Sequence, residues 1–174
     1  MKGQGRPKGR LVLAVQLLLA VGVMAGVAIG LLQAAVGGDG SSTAMPSELG
    51  GLRLVQAMTG ADALAEIYSL HQRDLGLVDG WVGHYEGGAT VWASQARDRE
   101  HAATLLASMS RDIQAGEGPF IYEGQEQVRD SVLHRLRGPG GLHYFYQRDS
   151  MVIWVTAPPA VARAFMVEAV EHIR

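Results

Sequence analysis

Hydrophobic and polar residues divide this chain into two unlike parts. Residues 11–36 form an apolar run in which Gln16 and Gln33 are the polar side chains. Because an α-helix rises about 1.5 Å per residue, a run of this length can cross a hydrocarbon core about 30 Å thick. The pattern predicts one transmembrane helix at 11–36, followed by a flexible, Gly- and Ser-rich linker at 37–50.

The charges that precede the apolar run indicate its orientation. Four basic residues and no acidic residue lie before it, namely Lys2, Arg6, Lys8 and Arg10. By the positive-inside rule, residues 1–10 stay in the cytoplasm and residues 51–174 form an extracytoplasmic domain. A cleaved signal peptide is the alternative, but its apolar region has only about 7–15 residues. We therefore predict an uncleaved signal-anchor that holds a single-pass protein in a bacterial plasma membrane.

Small residues recur at every fourth position of the predicted membrane helix. They are Gly22, Gly26, Gly30 and Ala34. Such a strip lets the backbone of a second helix approach closely, which favours helix packing in lipid. The strip therefore predicts a transmembrane partner. Chance spacing is the alternative, because the chain contains 23 glycines.

The periodicity of residues 51–174 alternates between strand and helix. A short strand near residue 52 leads to a helix that Thr59-x-x-Asp62 opens as a capping box. The apolar side of that helix has the spacing i, i+3, i+4, i+7 and consists of Leu64, Ile67, Tyr68 and His71. Residues 81–86 and 89–95 then alternate around two glycines, which predicts a two-residue β-hairpin turn.

The second half of the domain continues this alternation. Asp98 caps a second helix, and residues 116–127 read as a polar loop. Three strands are predicted at 131–137, 142–147 and 151–156. Pro158-Pro159 then introduces a final helix. The order βαββαβ followed by ββα predicts an α+β fold, in which a ferredoxin-like antiparallel sheet with helices is extended by a hairpin and a helix.

Short turns at 138–141 and 149–150 set the register of the last three predicted strands, and period-two alternation assigns their faces. One face includes His134, His143, Phe145 and Trp154. The two histidines are diagonal cross-strand neighbours about 7–8 Å apart, which predicts a site for haem, a metal ion or another small ligand. Ordinary half-buried sheet histidines are the alternative, because no HExxH, HxH or CxxCH motif occurs.

The predicted sheet has apolar side chains on both faces. Tyr144 and Tyr146 lie on the second face, and Trp81 and Trp92 share one side of the first hairpin. A sheet with helices on only one side should be polar on the other, so the second face must be covered. We predict that these four aromatic residues form an interaction face for another chain. Burial beneath the final helix of the same chain is the alternative.

Composition and charge narrow the function. From Met45 onward, 11 Arg face 16 Asp plus Glu, an excess of five negative charges that argues against nucleic acid as a partner. The absence of Cys excludes thiolate catalysis and Cys-ligated metals. Polar residues that an enzyme could use lie at predicted turns without a nucleophile–base motif, namely Glu86, Asp130, Asp149 and Ser150.

These features predict a non-catalytic, membrane-anchored accessory or assembly subunit that needs no cofactor. Its extracytoplasmic domain is expected to dock on a membrane-protein complex or to dimerise. The alternative is an extracytoplasmic domain that binds haem, a metal or a small ligand through His134 or His143.

Overall fold

The computed structural model describes residues 45–71 and 74–173 of the chain. The strands are β1 (Glu48–Leu49), β2 (Leu52–Thr59), β3 (Asp79–Tyr85), β4 (Thr90–Gln95), β5 (Ile121–Val128), β6 (Ser131–Gly138), β7 (Gly141–Arg148) and β8 (Met151–Ala157). The helices are α1 (Gly60–His71), α2 (Arg99–Gln114) and α3 (Ala162–His172). None of these helices is long and apolar enough to cross a membrane. The predicted anchor at 11–36 and its small-residue strip lie outside the described residues.

The eight strands form one antiparallel sheet in the order β1-β2-β3-β4-β8-β7-β6-β5. The described chain is therefore α+β, with an antiparallel sheet and three helices, as predicted. The ferredoxin-like connectivity is wrong. In a split βαβ unit the strands that flank a helix run parallel, whereas β2 and β3, which flank α1, are antiparallel neighbours.

An additional strand, β5, is a second difference from the prediction. The sequence pattern predicts a polar loop at 116–127, but most of that segment forms β5 at one outer edge of the sheet. Four of its eight residues are Glu or Gln, and Val128 is the one buried residue of the strand, so β5 has no continuous apolar side that could be read from the sequence. A bulge between Tyr122 and Gly124 interrupts its pairing with β6. The chain thus reaches the far edge after α2 and returns through β6, β7 and β8.

The predicted register of β6, β7 and β8 is confirmed. Arg137 pairs with Leu142, and Arg148 pairs with Met151. Asp149 has a φ of 48°, a left-handed conformation that aspartate tolerates better than most residues and that allows a two-residue turn between β7 and β8. Each face of these strands therefore carries the side chains predicted for it.

The first hairpin differs from its prediction by one residue. Its turn is the 3₁₀ segment Glu86–Gly88, with Gly87 at a φ of 68°, rather than two glycines alone. Val82 consequently pairs with Trp92, and Trp81 pairs with Ala93. Because successive side chains of a strand point to opposite faces, Trp92 lies on the face opposite to Trp81.

Helix α3 covers the face of the sheet that carries Trp81. It begins after Pro158, whose carbonyl oxygen accepts a hydrogen bond of 3.0 Å from the Ala162 N–H. Phe165 on α3 meets Tyr85 edge-on, with ring centroids 5.0 Å apart. The shared core joins two sets of buried residues, Phe165, Met166, Ala169 and Val170 from α3 with Trp81, Tyr144, Tyr146 and Ile153 from the sheet. The final helix of the same chain therefore covers this face.

Helices α1 and α2 cover the other face. Ile67 of α1 belongs to a core with Val82, while Ile113 of α2 packs with Leu136 and Phe145. Asp98 caps α2 as predicted, because its Oδ1 accepts a 2.7 Å hydrogen bond from the backbone N–H three residues later. The two histidines of the predicted ligand site lie on this face.

Candidate functional site

His134 on β6 and His143 on β7 are diagonal neighbours, as the sequence predicts. His134 pairs with Phe145, and Leu136 pairs with His143, so both imidazoles point to the α2 side of the sheet. Both are buried, with 6% and 5% of their surface exposed. The role of the two residues in binding a cofactor stays a prediction. A ring nitrogen can contact a ligand only if it gives up any hydrogen bond that it already makes within the chain.

His143 already uses both ring nitrogens. Its Nε2 lies 2.8 Å from the Pro139 carbonyl oxygen, and its Nδ1 accepts a 3.2 Å hydrogen bond from Trp154 Nε1–H. This arrangement requires a neutral imidazole with its proton on Nε2, which donates to Pro139. Burial lowers the pKa of His143, and the hydrogen bond to Pro139 opposes part of that shift. Coordination of a metal or haem iron by His143 would break one of these two bonds.

His134 has a looser set of polar neighbours. Its Nδ1 lies 3.1 Å from the Tyr122 hydroxyl and 3.3 Å from Ser110 Oγ. Its Nε2 lies 3.4 Å from the side-chain amide nitrogen of Gln125. After an amide flip, the Gln125 oxygen can accept a hydrogen bond from the ring N–H. Burial lowers the pKa of His134 and favours the neutral ring.

Aromatic side chains pack against both histidines on this face. His134 stacks on Phe145 with ring centroids 4.5 Å apart, and Phe145 stacks on Trp154 at 5.2 Å. Phe120 packs edge-on against His143 at 5.0 Å. Within residues 45–71 and 74–173, no three His, Asp or Glu side chains are placed to hold a metal ion. The two imidazoles are therefore packed among aromatic rings on this face.

A groove of about 490 Å³ lies beside this core, between α2 and the strands β6 and β7. Its lining includes Ala107, Ser110 and Gln114 from α2, together with His134 and Gln147 from the sheet. This volume falls in the range of small-molecule pockets. Of the two histidines predicted to contact a ligand, His134 lines this groove and His143 does not.

The Ser110–His134 contact has only part of the geometry of a nucleophile and its base. Ser110 lies within α2, and its Oγ also accepts a 2.8 Å hydrogen bond from Gln114 Nε2. None of the hydrogen bonds found for His134 in the described chain joins its ring to a carboxylate that could accept from the ring and orient it. The Ser110–His134 contact therefore lacks the carboxylate that completes a catalytic triad.

The four aromatic residues predicted as an interaction face do not form one. Trp81, Tyr144 and Tyr146 are buried beneath α3, and burial raises the pKa of both tyrosines. Trp92 lies on the other face, where its Nε1–H donates a 2.7 Å hydrogen bond to Glu66 of α1. The correction has two causes, the one-residue shift of the first hairpin and the position of α3.

A larger cleft of about 800 Å³ lies where the β5–β6 and β7–β8 turns meet α3. Three arginines and three acids line it, namely Arg99, Arg129, Arg148, Asp130, Asp149 and Glu171. Arg129 pairs with Glu171, and Arg148 pairs with Asp130 at 3.1 Å. Because the charges balance and two of the pairs are closed, the cleft has no strong preference for an anion or a cation.

The outer edge of β2 was missed by the sequence pattern, which indicates only a short strand near residue 52. β1 pairs with Leu52 and Arg53 and no further, so within the described chain no strand lies beside residues 55–59 on that side. This segment carries no charge, and Val55 is 68% exposed at a bulge. We call residues 55–59 the β2 edge. An uncharged, exposed edge strand is a template for pairing with another strand.

The described residues thus define an α+β domain with one eight-stranded antiparallel sheet and two helical layers. The chain matches no known protein family, no curated protein and no solved structure.

Proposed function

We propose that this protein is a non-catalytic accessory or assembly subunit, anchored by residues 11–36 in the plasma membrane. Residues 1–10 are cytoplasmic, and residues 51–174 are extracytoplasmic in this proposal. The domain docks on other membrane-protein subunits or on a second copy. The β2 edge carries the proposal, because it lies close in sequence to the predicted anchor, with β1 and the β1–β2 turn between them, and is open to a partner strand.

The opposite edge of the sheet supports this choice by contrast. β5 carries Glu123 and Glu126, whose carboxylates pair with Arg135 and Arg163. Charged side chains on an edge strand disfavour pairing with another strand. The β2 edge has no such protection, and its backbone groups can add hydrogen bonds to a partner strand. Two further exposed apolar side chains, Leu70 and Val78, belong to α1 and to the segment that leads into β3.

Isolation of the full-length protein from its native membrane in mild detergent tests the proposal. Cross-linking followed by mass spectrometry should recover a second membrane subunit or a dimer. Val55→Lys should weaken that association, because it places a charge on the β2 edge. Ile121→Lys is the matched control, since Ile121 is a similarly exposed residue on the β5 edge, at 66% against 68%. A strictly monomeric protein without partners would contradict the proposal.

A second candidate function is the binding of haem, a metal ion or another small ligand. The groove beside α2, with His134 among its lining residues, supports it. Haemin added to the full-length protein in detergent should then produce a shifted absorption band. His134→Gln should abolish the shift, whereas His172→Gln, which removes an exposed imidazole on α3, should leave it unchanged. A purified protein that is colourless, metal-free and indifferent to haemin would exclude this candidate.

A further inference from the structure

We propose that the strand received by the β2 edge is the β2 edge of a second copy of this chain, in antiparallel orientation about a twofold axis. This inference rests on the proposed function and names its partner. The result is a dimer whose two eight-stranded sheets join into one continuous sheet. An isologous contact of this kind is the commonest symmetry of protein oligomers.

The β2 edge is self-complementary in the register centred on Ala57. In that register Ala57 faces itself across the axis, Val55 faces Thr59 of the second copy, and Gln56 faces Met58 of the second copy. Pairs of β-branched residues such as Val and Thr stabilise antiparallel strands. No pair places a charge opposite a like charge, so no charge repulsion within the segment opposes self-pairing.

Within residues 45–71 and 74–173, the side chains of the β2 edge are largely exposed. Gln56, Ala57 and Thr59 are exposed, as is Val55. The preceding segment pairs with the edge no further than Leu54, whose N–H donates to the Ser47 carbonyl oxygen at 2.8 Å. It then turns toward β3, where the Pro46 carbonyl oxygen accepts a 2.8 Å hydrogen bond from the Tyr85 hydroxyl. A second strand can therefore add beside residues 55–59 without displacing a described part of the chain.

The position of the predicted anchor favours a second copy over an unrelated strand. Residues 37–44 separate the predicted membrane helix from Met45 and, at full extension, span at most about 28 Å. If the strip from Gly22 to Ala34 pairs two membrane helices, both domains are held close to each other at an effective concentration in the millimolar range. The β2 edge of one copy then meets the β2 edge of the second copy before it meets an unrelated strand.

A disulfide between the two copies tests the inference, because the chain has no Cys of its own. Ala57→Cys puts one thiol on each side of the proposed axis, where directly opposed residues lie within the Cα separation that a disulfide accepts. Under mild oxidation of the full-length protein in its native membrane, Ala57→Cys should convert to a covalent dimer. Ile121→Cys, at the exposed start of the β5 edge, is the matched control and should stay monomeric.

The addition of Val55→Lys to the Ala57→Cys chain should lower the yield of the disulfide dimer by roughly tenfold, because the twofold axis repeats the lost Val–Thr pair. An Ala57→Cys chain that stays monomeric, or that cross-links no faster than Ile121→Cys, overturns the inference. If that same chain co-purifies with a different membrane subunit, the proposed function stands and the second copy is excluded. If it co-purifies with nothing, both proposals fall.

Discussion

Acidification is expected to destabilise the described domain through His134 and His143. Both imidazoles are buried and neutral, and burial lowers the pKa of each. An unfolded chain exposes the same two side chains to water, where a histidine has a pKa of about 6.5. Below that pH the unfolded state binds more protons than the folded state, so the free energy of unfolding falls as the pH falls.

The magnitude follows from the number of protons involved. Between pH 6.5 and the lowered folded-state pKa, each buried histidine reduces the free energy of unfolding by at most about 1.4 kcal/mol per pH unit. Two such residues give a limiting slope of about 2.7 kcal/mol per pH unit. The contribution is fully present above about pH 7, and the loss ends once the pH lies below both folded-state pKa values. The hydrogen bond from His143 to Pro139 opposes part of the shift that burial causes in the pKa of His143.

Denaturant unfolding of the full-length protein in mild detergent measures this slope. Trp81, Trp92 and Trp154 are the three tryptophans of the chain, and all lie in the described domain, so fluorescence reports its unfolding. His134→Gln and His143→Gln should each remove part of the slope between pH 7 and pH 5. His172→Gln removes an exposed imidazole and is the control. A double variant of His134 and His143 with the slope of the unsubstituted protein would refute the reasoning.

Three further predictions concern α3, the β1–β2 turn and the anchor. Phe165→Ala should lower the free energy of unfolding by about 3–5 kcal/mol, whereas Val132→Ala at an exposed position should change it by less than about 1 kcal/mol in denaturant titrations. Gly50→Ala should lower the free energy of unfolding by more than about 2 kcal/mol in the same assay, because its Cβ would lie 2.6 Å from the Phe165 backbone nitrogen. Gly51→Ala, with open space around it, should lower it by about 1 kcal/mol. Gly26→Leu should loosen assembly in native gels and leave tryptophan fluorescence unchanged, and unaltered assembly would reduce that helix to a plain anchor.

Local signals predicted the last three strands well. A two-residue turn at Asp149 and a glycine-rich turn before β7 leave few registers open, so the pairings of Arg148 with Met151 and of Arg137 with Leu142 follow from spacing alone. The same logic placed His134 and His143 on one face. It could not show that Pro139 and Trp154 occupy both nitrogens of His143, because those contacts depend on side-chain conformation in the folded sheet.

Three features escaped prediction for physical reasons. β5 is an edge strand that is held to β6 by backbone pairing and by cross-strand ion pairs such as Arg135 with Glu123. It therefore shows no apolar alternation. The first hairpin accommodates one more residue in its turn than Gly87-Gly88 indicates, and that shift reverses the side of Trp92. The sequence pattern did not predict the β2 edge, because the length of β2 depends on its pairing with β3, which is distant in sequence.

The placement of α3 has a consequence for the synthesis of this protein. Chains emerge from the ribosome with the N-terminus first, and α3 follows every strand of the sheet in sequence. Until residues 162–172 have been synthesised, Trp81, Tyr144 and Tyr146 have no cover, because those residues provide it. The described domain therefore completes its core only after its last strand has been synthesised, and a chain interrupted before Ala162 presents an open aromatic face to chaperones and proteases.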